Sequence, residues 1–406
     1  MFNFKALFNL FLNNHINKIF IFFVALLIYI PFSYLKNGIF YDSSTPYFKY
    51  LADALKGGNL FLVHQISNPI DLSLYDGKFF LYWPPMPAIV QLIFDLILPF
   101  SVTDVFLNQI FAALNGALVM HLLCLISDKI VKLNHNLISL LSIFFVFGTS
   151  HFPLSPYGSV WAVSQIYGIT FVIISFISVL SFEGRKAALI CSFFMGCAFL
   201  CRLTLLVNLL WPTWYIVSNS RTRREKLINL LILLSVIVFF LVLYGCYNYL
   251  RFGSFVEIGY RYHLMSSFFI NDYKNFGAFS LHYVPQNIYY HFIHYPFPFS
   301  DETFMGGSLF LLSPLYFYLF RVNFSQPSKS HQLILLLSIV LSYVPLALIM
   351  GTGMVQFGSR YLLDFSIPLL ILLAFGMSDL KNLRIAYLLL VISVIHFTIG
   401  TVIKSF

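Results

Sequence analysis

The sequence predicts an all-α polytopic membrane protein, with about 11 transmembrane helices and further helices lying on the outer membrane surface. Three observations predict it. Of 406 residues, 59% are hydrophobic and 10% are charged, with a mean hydropathy of +0.84, where soluble domains carry about 25% charged residues. Apolar runs of helix length recur along the whole chain. The basic residues sit in short segments between these runs, which is the pattern of topology signals. The net charge of +9 is therefore no sign of nucleic acid. The 48 phenylalanines suit either wide lipid-facing surfaces or a bias in coding composition.

In chain order, residues 1–18 hold two lysines and apolar residues at helical spacing, as in an interfacial helix. Spans are expected near 19–35, 105–126, 137–150, 160–181, 187–201, 203–218, 227–249, 308–320, 332–350, 361–377 and 385–403. The stretch 86–100 is apolar but contains Asp95 and is bounded by prolines. Charge decides its placement. With 86–100 outside, segments 1–18, 128–136, 182–187, 219–226, 321–331 and 378–384 face inward and hold 14 of the 24 Lys and Arg residues. A spanning 86–100 would turn several of these basic segments outward, against the positive-inside tendency. Two long outer regions result, 36–104 and 251–306. The five cysteines lie in apolar runs and read as packing residues.

The outer segment 42–87 concentrates polar chemistry just after the first span. It holds four of the 15 carboxylates: Asp42, Asp53, Asp71 and Asp76. Asp42 reads either as the cap of a helix beginning near Tyr47 or as a general base at the water–lipid boundary. Asp71 and Asp76 flank Leu-Ser-Leu-Tyr, and Tyr75-Asp76-Gly77-Lys78 reads as a tight turn. Arg202 stands alone between two apolar runs, where a charge is costly unless it is paired or faces water, and a lipid phosphate would satisfy it. Arg360 and Asp364 are four apart, which allows a local ion pair. Gly358 and Ser359 before Arg360 also suit an anion site at a helix start. His282, His291 and His294 lack an acid or cysteine at ligand spacing, so no metal is expected there. No P-loop, GxGxxG or nucleophile elbow is present.

A span, then Asp42-x4-Tyr47-x3-LADA-L-x-GG, then YDGKFFLYWPPMPA, then a distant GSRYLLD resembles the glycosyltransferase-C (GT-C) superfamily. Within it, the chain is similar to bacterial dolichyl-phosphate-mannose-protein mannosyltransferases and aminoarabinose transferases. The resemblance covers the organisation of the first ~200 residues and the motif near 356–364. It implies a conserved module over 1–250 that includes the outer loop 36–104, then an outer region 251–306 and C-terminal helices 307–406. It further implies an inner-membrane glycosyltransferase with a site facing the periplasm. Such an enzyme passes a sugar from a polyprenyl-phosphate donor to a glycan, lipid or protein acceptor. Asp42 matches the acid of the family's first outer loop, and Arg202 a basic residue that meets the lipid phosphate. Many members carry a second acid after the third span. Here that stretch is GTSHFPLSPYGSVW and has none, so His151 or Ser155 takes a lesser role or one carboxylate suffices. No cofactor is expected, with a divalent metal as the minor alternative. Tyr47, Asp71, Asp76, His151 and Asp364 complete the candidate site around Asp42, Arg202 and Arg360. The rival readings are an O-antigen-type polymerase relying on Arg251 and Arg261, and a lipid-linked sugar flippase.

Overall fold

A computed structural model describes residues 14–300, 304–324, 328–353 and 356–403. The interfacial helix expected over 1–18 lies largely outside these residues, as do Asp301 and Glu302. Every apolar run falls on a helical element. They are α1 (Asn14–Ser33), α4 (Asp104–Lys129), α5 (His135–Phe147), α6 (Val160–Ser181), α7 (Gly184–Phe199), α8 (Leu210–Asn219), α9 (Arg223–Phe252), α11 (Lys329–Leu348), α12 (Ser366–Met377) and α13 (Arg384–Ile403), with 3-10 helix over Pro314–Arg321. The outer regions add α2 (Tyr47–Lys56), α3 (Met86–Ile97) and α10 (Ser267–Phe276). Among the described residues, six helices are long and apolar enough to cross a membrane: α4, α6, α9, α11, α13 and the run Arg360–Met377.

The helix starts follow from local chemistry. The side chains of Thr103, Asn134 and Thr222 accept the amides of Phe106, Leu137 and Glu225 at the beginnings of α4, α5 and α9. α9 stops at Gly253, whose φ of 71° is the left-handed conformation that closes a helix. α6 is apolar on all sides and buried on nearly all of them, so it forms the centre of the bundle. α9 instead leaves Leu227, Leu231, Leu234, Phe239 and Val242 exposed, as a lipid-facing helix does.

At 12 residues, α3 extends only ~18 Å, short of a ~30 Å hydrocarbon core. It lies against α2, where Lys56 Nζ meets Asp95 Oδ2 at 2.9 Å.

Because the helices alternate in direction, segments 36–104, 148–160, 200–203, 252–300, 304–308, 349–353 and 356–360 gather at one end of the bundle. At that end a hairpin, β1 (Ser73–Tyr75) and β2 (Lys78–Phe80), closes through Asp76 and Gly77, whose φ values are 49° and 71°. Positive φ at both central residues gives the two-residue turn that matches strand twist. The second outer region docks on this hairpin: the Leu264 amide donates to the Leu72 carbonyl at 2.8 Å, and the Asp71 amide to the Leu264 carbonyl at 3.1 Å. Arg251 anchors the same assembly from within. Its guanidinium donates to the Leu81 carbonyl (2.6 Å) and Asn248 Oδ1 (2.7 Å) and stacks on Tyr247. It is a buried strut and not the free outer-loop arginine that a polymerase reading requires.

Candidate functional site

Two clusters form at the loop-bearing end. The first is built on the N-terminus of α4. Asp104, the first residue of that helix, is buried, and its carboxylate accepts from the Ser43 amide (2.9 Å), the Ser43 hydroxyl (2.5 Å) and the Val105 amide (2.8 Å). Asp42 is its neighbour. One Asp42 oxygen accepts the Asp104 amide at 3.4 Å, and both meet Lys49 Nζ at 2.9 and 2.8 Å. The capping expected of Asp42 toward α2 does not occur. Pro46 occupies that position without a side-chain bond, and the Asp42–Ser43 pair serves α4 instead. The Asp42 side chain is about one-third exposed, so it is open to a ligand while Asp104 is sealed.

Gly158 makes this arrangement possible. A Cβ there would lie 2.5 Å from the Val105 nitrogen and 2.8 Å from Asp104 Cγ. Gly158→Ala is therefore expected to push Asp104 off Ser43 and to cost about 1–3 kcal/mol. A lowered thermal unfolding midpoint of the detergent-solubilised protein checks this, and an unchanged midpoint refutes it.

The second cluster joins Arg202 and Arg360, 158 positions apart in sequence. Both guanidinium groups flank the Tyr361 ring, with Cζ 5.5 and 4.9 Å from its centroid. Arg360 also faces Trp161 at 5.9 Å. The local Arg360–Asp364 pair allowed by the sequence is not formed. Residues Arg360–Phe365 are 3-10 helix, in which three residues make a turn, so positions i and i+4 no longer share a face. Asp364, buried, pairs with Arg202 instead, at 3.1 Å from Nε and 3.0 Å from Nη2. Thr204 Oγ1 (2.5 Å) and Gln165 Nε2 (3.3 Å) also donate to Asp364. Arg360 keeps only a neutral partner for its Nε, the Gly353 carbonyl at 3.1 Å, and no carboxylate lies within ion-pair distance among the described residues. The Arg360 amide, expected to be open, is taken by Gln356 Oε1 at 3.0 Å.

Trp161 connects the clusters. With Ser43, Ser44 and Gly158 it lines a cavity of about 330 Å3, and its ring faces Arg360.

No protein-family model matches the sequence, and no curated protein matches it significantly. Solved structures do. ArnT from Cupriavidus metallidurans, bound to undecaprenyl phosphate, superposes with a TM-score of 0.50 at 11% identity, over 89% of this chain and 60% of that one. The Archaeoglobus fulgidus oligosaccharyltransferase, tethered to an acceptor peptide containing the NVT sequon, gives 0.50 at 12% identity, over 98% of this chain and 56% of that one. The chain has a GT-C-type fold. It spans about 60% of the length of the structures it matches.

Within this GT-C fold the remaining candidates separate. Asp71, at φ 71°, lies 3.5 Å from His263 Nε2 and within electrostatic reach of Arg360 and Tyr82. It therefore joins the arginine cluster. Burial raises the Tyr82 phenol well above its ordinary range, so it stays a neutral donor. Tyr47 is a support: its hydroxyl donates to the Asn68 carbonyl at 2.6 Å and holds the turn leading to Asp71. Burial, followed by the Asp71 charge, pushes the Tyr47 phenol up to about 12. Asp76 is exposed in the hairpin turn and makes no ion pair among the described residues. His151 and Ser155 are fully buried and bond to each other, and His151 also meets Asn115. They cannot meet a ligand, which corrects the lesser role expected of them. His282 stacks on Phe276 while His291 packs against Tyr343, and no group of three His, Cys, Asp or Glu side chains with metal-site geometry occurs among the described residues.

Sequence reading missed Asp104. As the first acid of an apolar helix behind a capping threonine, it reads as a favourable helix-dipole charge. The signal that could have found it is topological, since the start of α4 lies at the same end as Asp42.

Proposed function

We propose that this protein is a membrane glycosyltransferase that moves a sugar from a polyprenyl-phosphate donor to an acceptor at the outer face. One observation carries the reading: two largely buried guanidinium groups converge on Tyr361, and of the two only Arg202 has a carboxylate partner, Asp364, among the described residues. A buried charge without a counterion is costly. A phosphate monoanion or diester would supply it, and the planar fork of arginine suits phosphate oxygens. The undecaprenyl phosphate in the ArnT structure of the same fold supports that choice.

In this mechanism Arg360, aided by Arg202, receives the donor phosphate and stabilises the charge that builds on it as it leaves. Asp42 accepts the proton of an acceptor hydroxyl or amine. The acceptor's electron pair forms the new bond to the anomeric carbon as the sugar–phosphate C–O bond breaks, and the pair from that bond stays on the phosphate. Attack from the face opposite the phosphate inverts the anomeric centre. Asp104 positions the loop that carries Asp42. The bias of basic residues toward the opposite end supports placing this site on the outer, periplasmic side.

Asp71 offers a second reading of the base, because its charge is among those that act on Arg360 and that of Asp42 is not. Incubating the purified protein with undecaprenyl-phosphate sugars and native envelope acceptors tests the proposal. Sugar transfer with inverted anomeric configuration is expected. Failure of undecaprenyl phosphate to bind, or retention of configuration, overturns it.

A further inference from the structure

The 330 Å3 cavity beside Asp42 has one charged residue in its wall, Lys36. The ammonium sits over the Tyr157 ring, 5.1 Å from its centroid, and among the described residues no carboxylate lies within ion-pair distance of it. That contrasts with Lys49 and Lys56 nearby, each of which meets aspartate at 2.8–2.9 Å. Lys36 as a residue is exposed at the cavity wall, so its ammonium is accessible to a ligand. The other polar groups of the wall are neutral, among them the Asn37 amide and the hydroxyls of Ser33, Ser43, Ser44, Tyr157 and Ser159. The volume lies at the lower end for small-ligand sites, which run from ~300 Å3 upward. Ser43 joins this wall to the Asp42–Asp104 carboxylates, and Trp161 joins it to Arg360. A ligand in the cavity would thus sit between base and donor, the place an acceptor must occupy.

We infer that the acceptor carries an anionic group, a phosphate or a carboxylate, which Lys36 receives in this cavity beside Asp42. The inference rests on the sugar-transfer reading above. An anion there gives the ammonium a counterion, and the Ser44 and Ser159 hydroxyls and the Asn37 amide can donate to it, while the Ser43 hydroxyl stays with Asp104. The same lysine would disfavour a cationic acceptor.

Equilibrium dialysis of the purified protein tests this, with undecaprenyl phosphate present in excess so that the arginine cluster is filled. Glucose 1-phosphate, glucuronate and glucose are the probes. One or both anionic sugars are expected to bind at least about tenfold more tightly than glucose, the equivalent of one modest charge interaction. A preference for glucose 1-phosphate identifies the acceptor's anion as phosphate, and one for glucuronate as carboxylate. Lys36→Gln should remove the preference and leave the affinity for undecaprenyl phosphate unchanged. Lys36 is exposed and makes no ion pair among the described residues, so this variant keeps the fold. Equal binding of all three sugars, or a preference that survives Lys36→Gln, overturns the inference alone. Failure of undecaprenyl phosphate to bind the unmodified protein overturns the transfer reading and takes the inference with it.

Discussion

Replacing Asp42 with asparagine is expected to lower turnover by about 10²- to 10⁴-fold, the usual contribution of a positioned general base, while donor binding persists. Asparagine keeps the size of the side chain and a carbonyl oxygen for the Asp104 amide, but it cannot take up a proton. It also strands Lys49, whose Nζ meets both Asp42 oxygens and whose side chain is largely covered. A second variant removes that ambiguity: Asp42→Asn with Lys49→Gln has no unpaired cation and should remain equally inactive. The measurement is release of undecaprenyl phosphate from lipid-linked sugars in the presence of acceptor, alongside undecaprenyl phosphate binding. An active Asp42→Asn enzyme would exclude Asp42 as the base. If Asp71→Asn were then inactive, the base would be the carboxylate at the arginine cluster.

Arg360→Gln should weaken undecaprenyl phosphate binding by about 10- to 100-fold. A hydrogen bond to a charged group is worth ~1.5–3 kcal/mol, and glutamine retains a donor without the charge. Arg360 is the more telling of the two arginines. Arg202 is committed to Asp364, so its removal would leave that buried carboxylate without its cation and damage the structure as well as the site. Arg360 has no such commitment, since its Nε meets a neutral carbonyl and its Cζ faces Trp161 and Tyr361. Titration of the purified variant with undecaprenyl phosphate checks this. Unaltered affinity would mean that the phosphate is held elsewhere. A higher salt concentration should weaken the wild-type interaction only modestly, because partly buried charges are poorly screened.

Much of the architecture was legible in the sequence because hydropathy is a local property. The run expected at 160–181 is α6 to the residue, and the broken run at 203–218 is a 3-10 turn followed by a helix. The apolar stretch at 86–100 forms a 12-residue helix. The tight turn at Asp76-Gly77 followed from turn chemistry alone. Pairings were another matter. Arg360 and Asp364 look like partners at four-residue spacing, but that rule presumes α-helical geometry, and the segment winds more tightly. Likewise the stretch after the third span lacks an acid, and the carboxylate that packs beside Asp42, Asp104, comes from the start of α4.

The sequence by itself determined the helices, their alternation across a membrane and the end at which acids and aromatics collect. These depend on runs of neighbouring residues and on charge along the chain. Only the tertiary structure decided which charges meet. Arg202 finds Asp364 across 162 positions, Ser43 finds Asp104 across 61, and Arg360 is left without a carboxylate partner. Such contacts arise when separate helix ends are packed together. Their energies depend on distance and burial in three dimensions, which the order of residues does not contain.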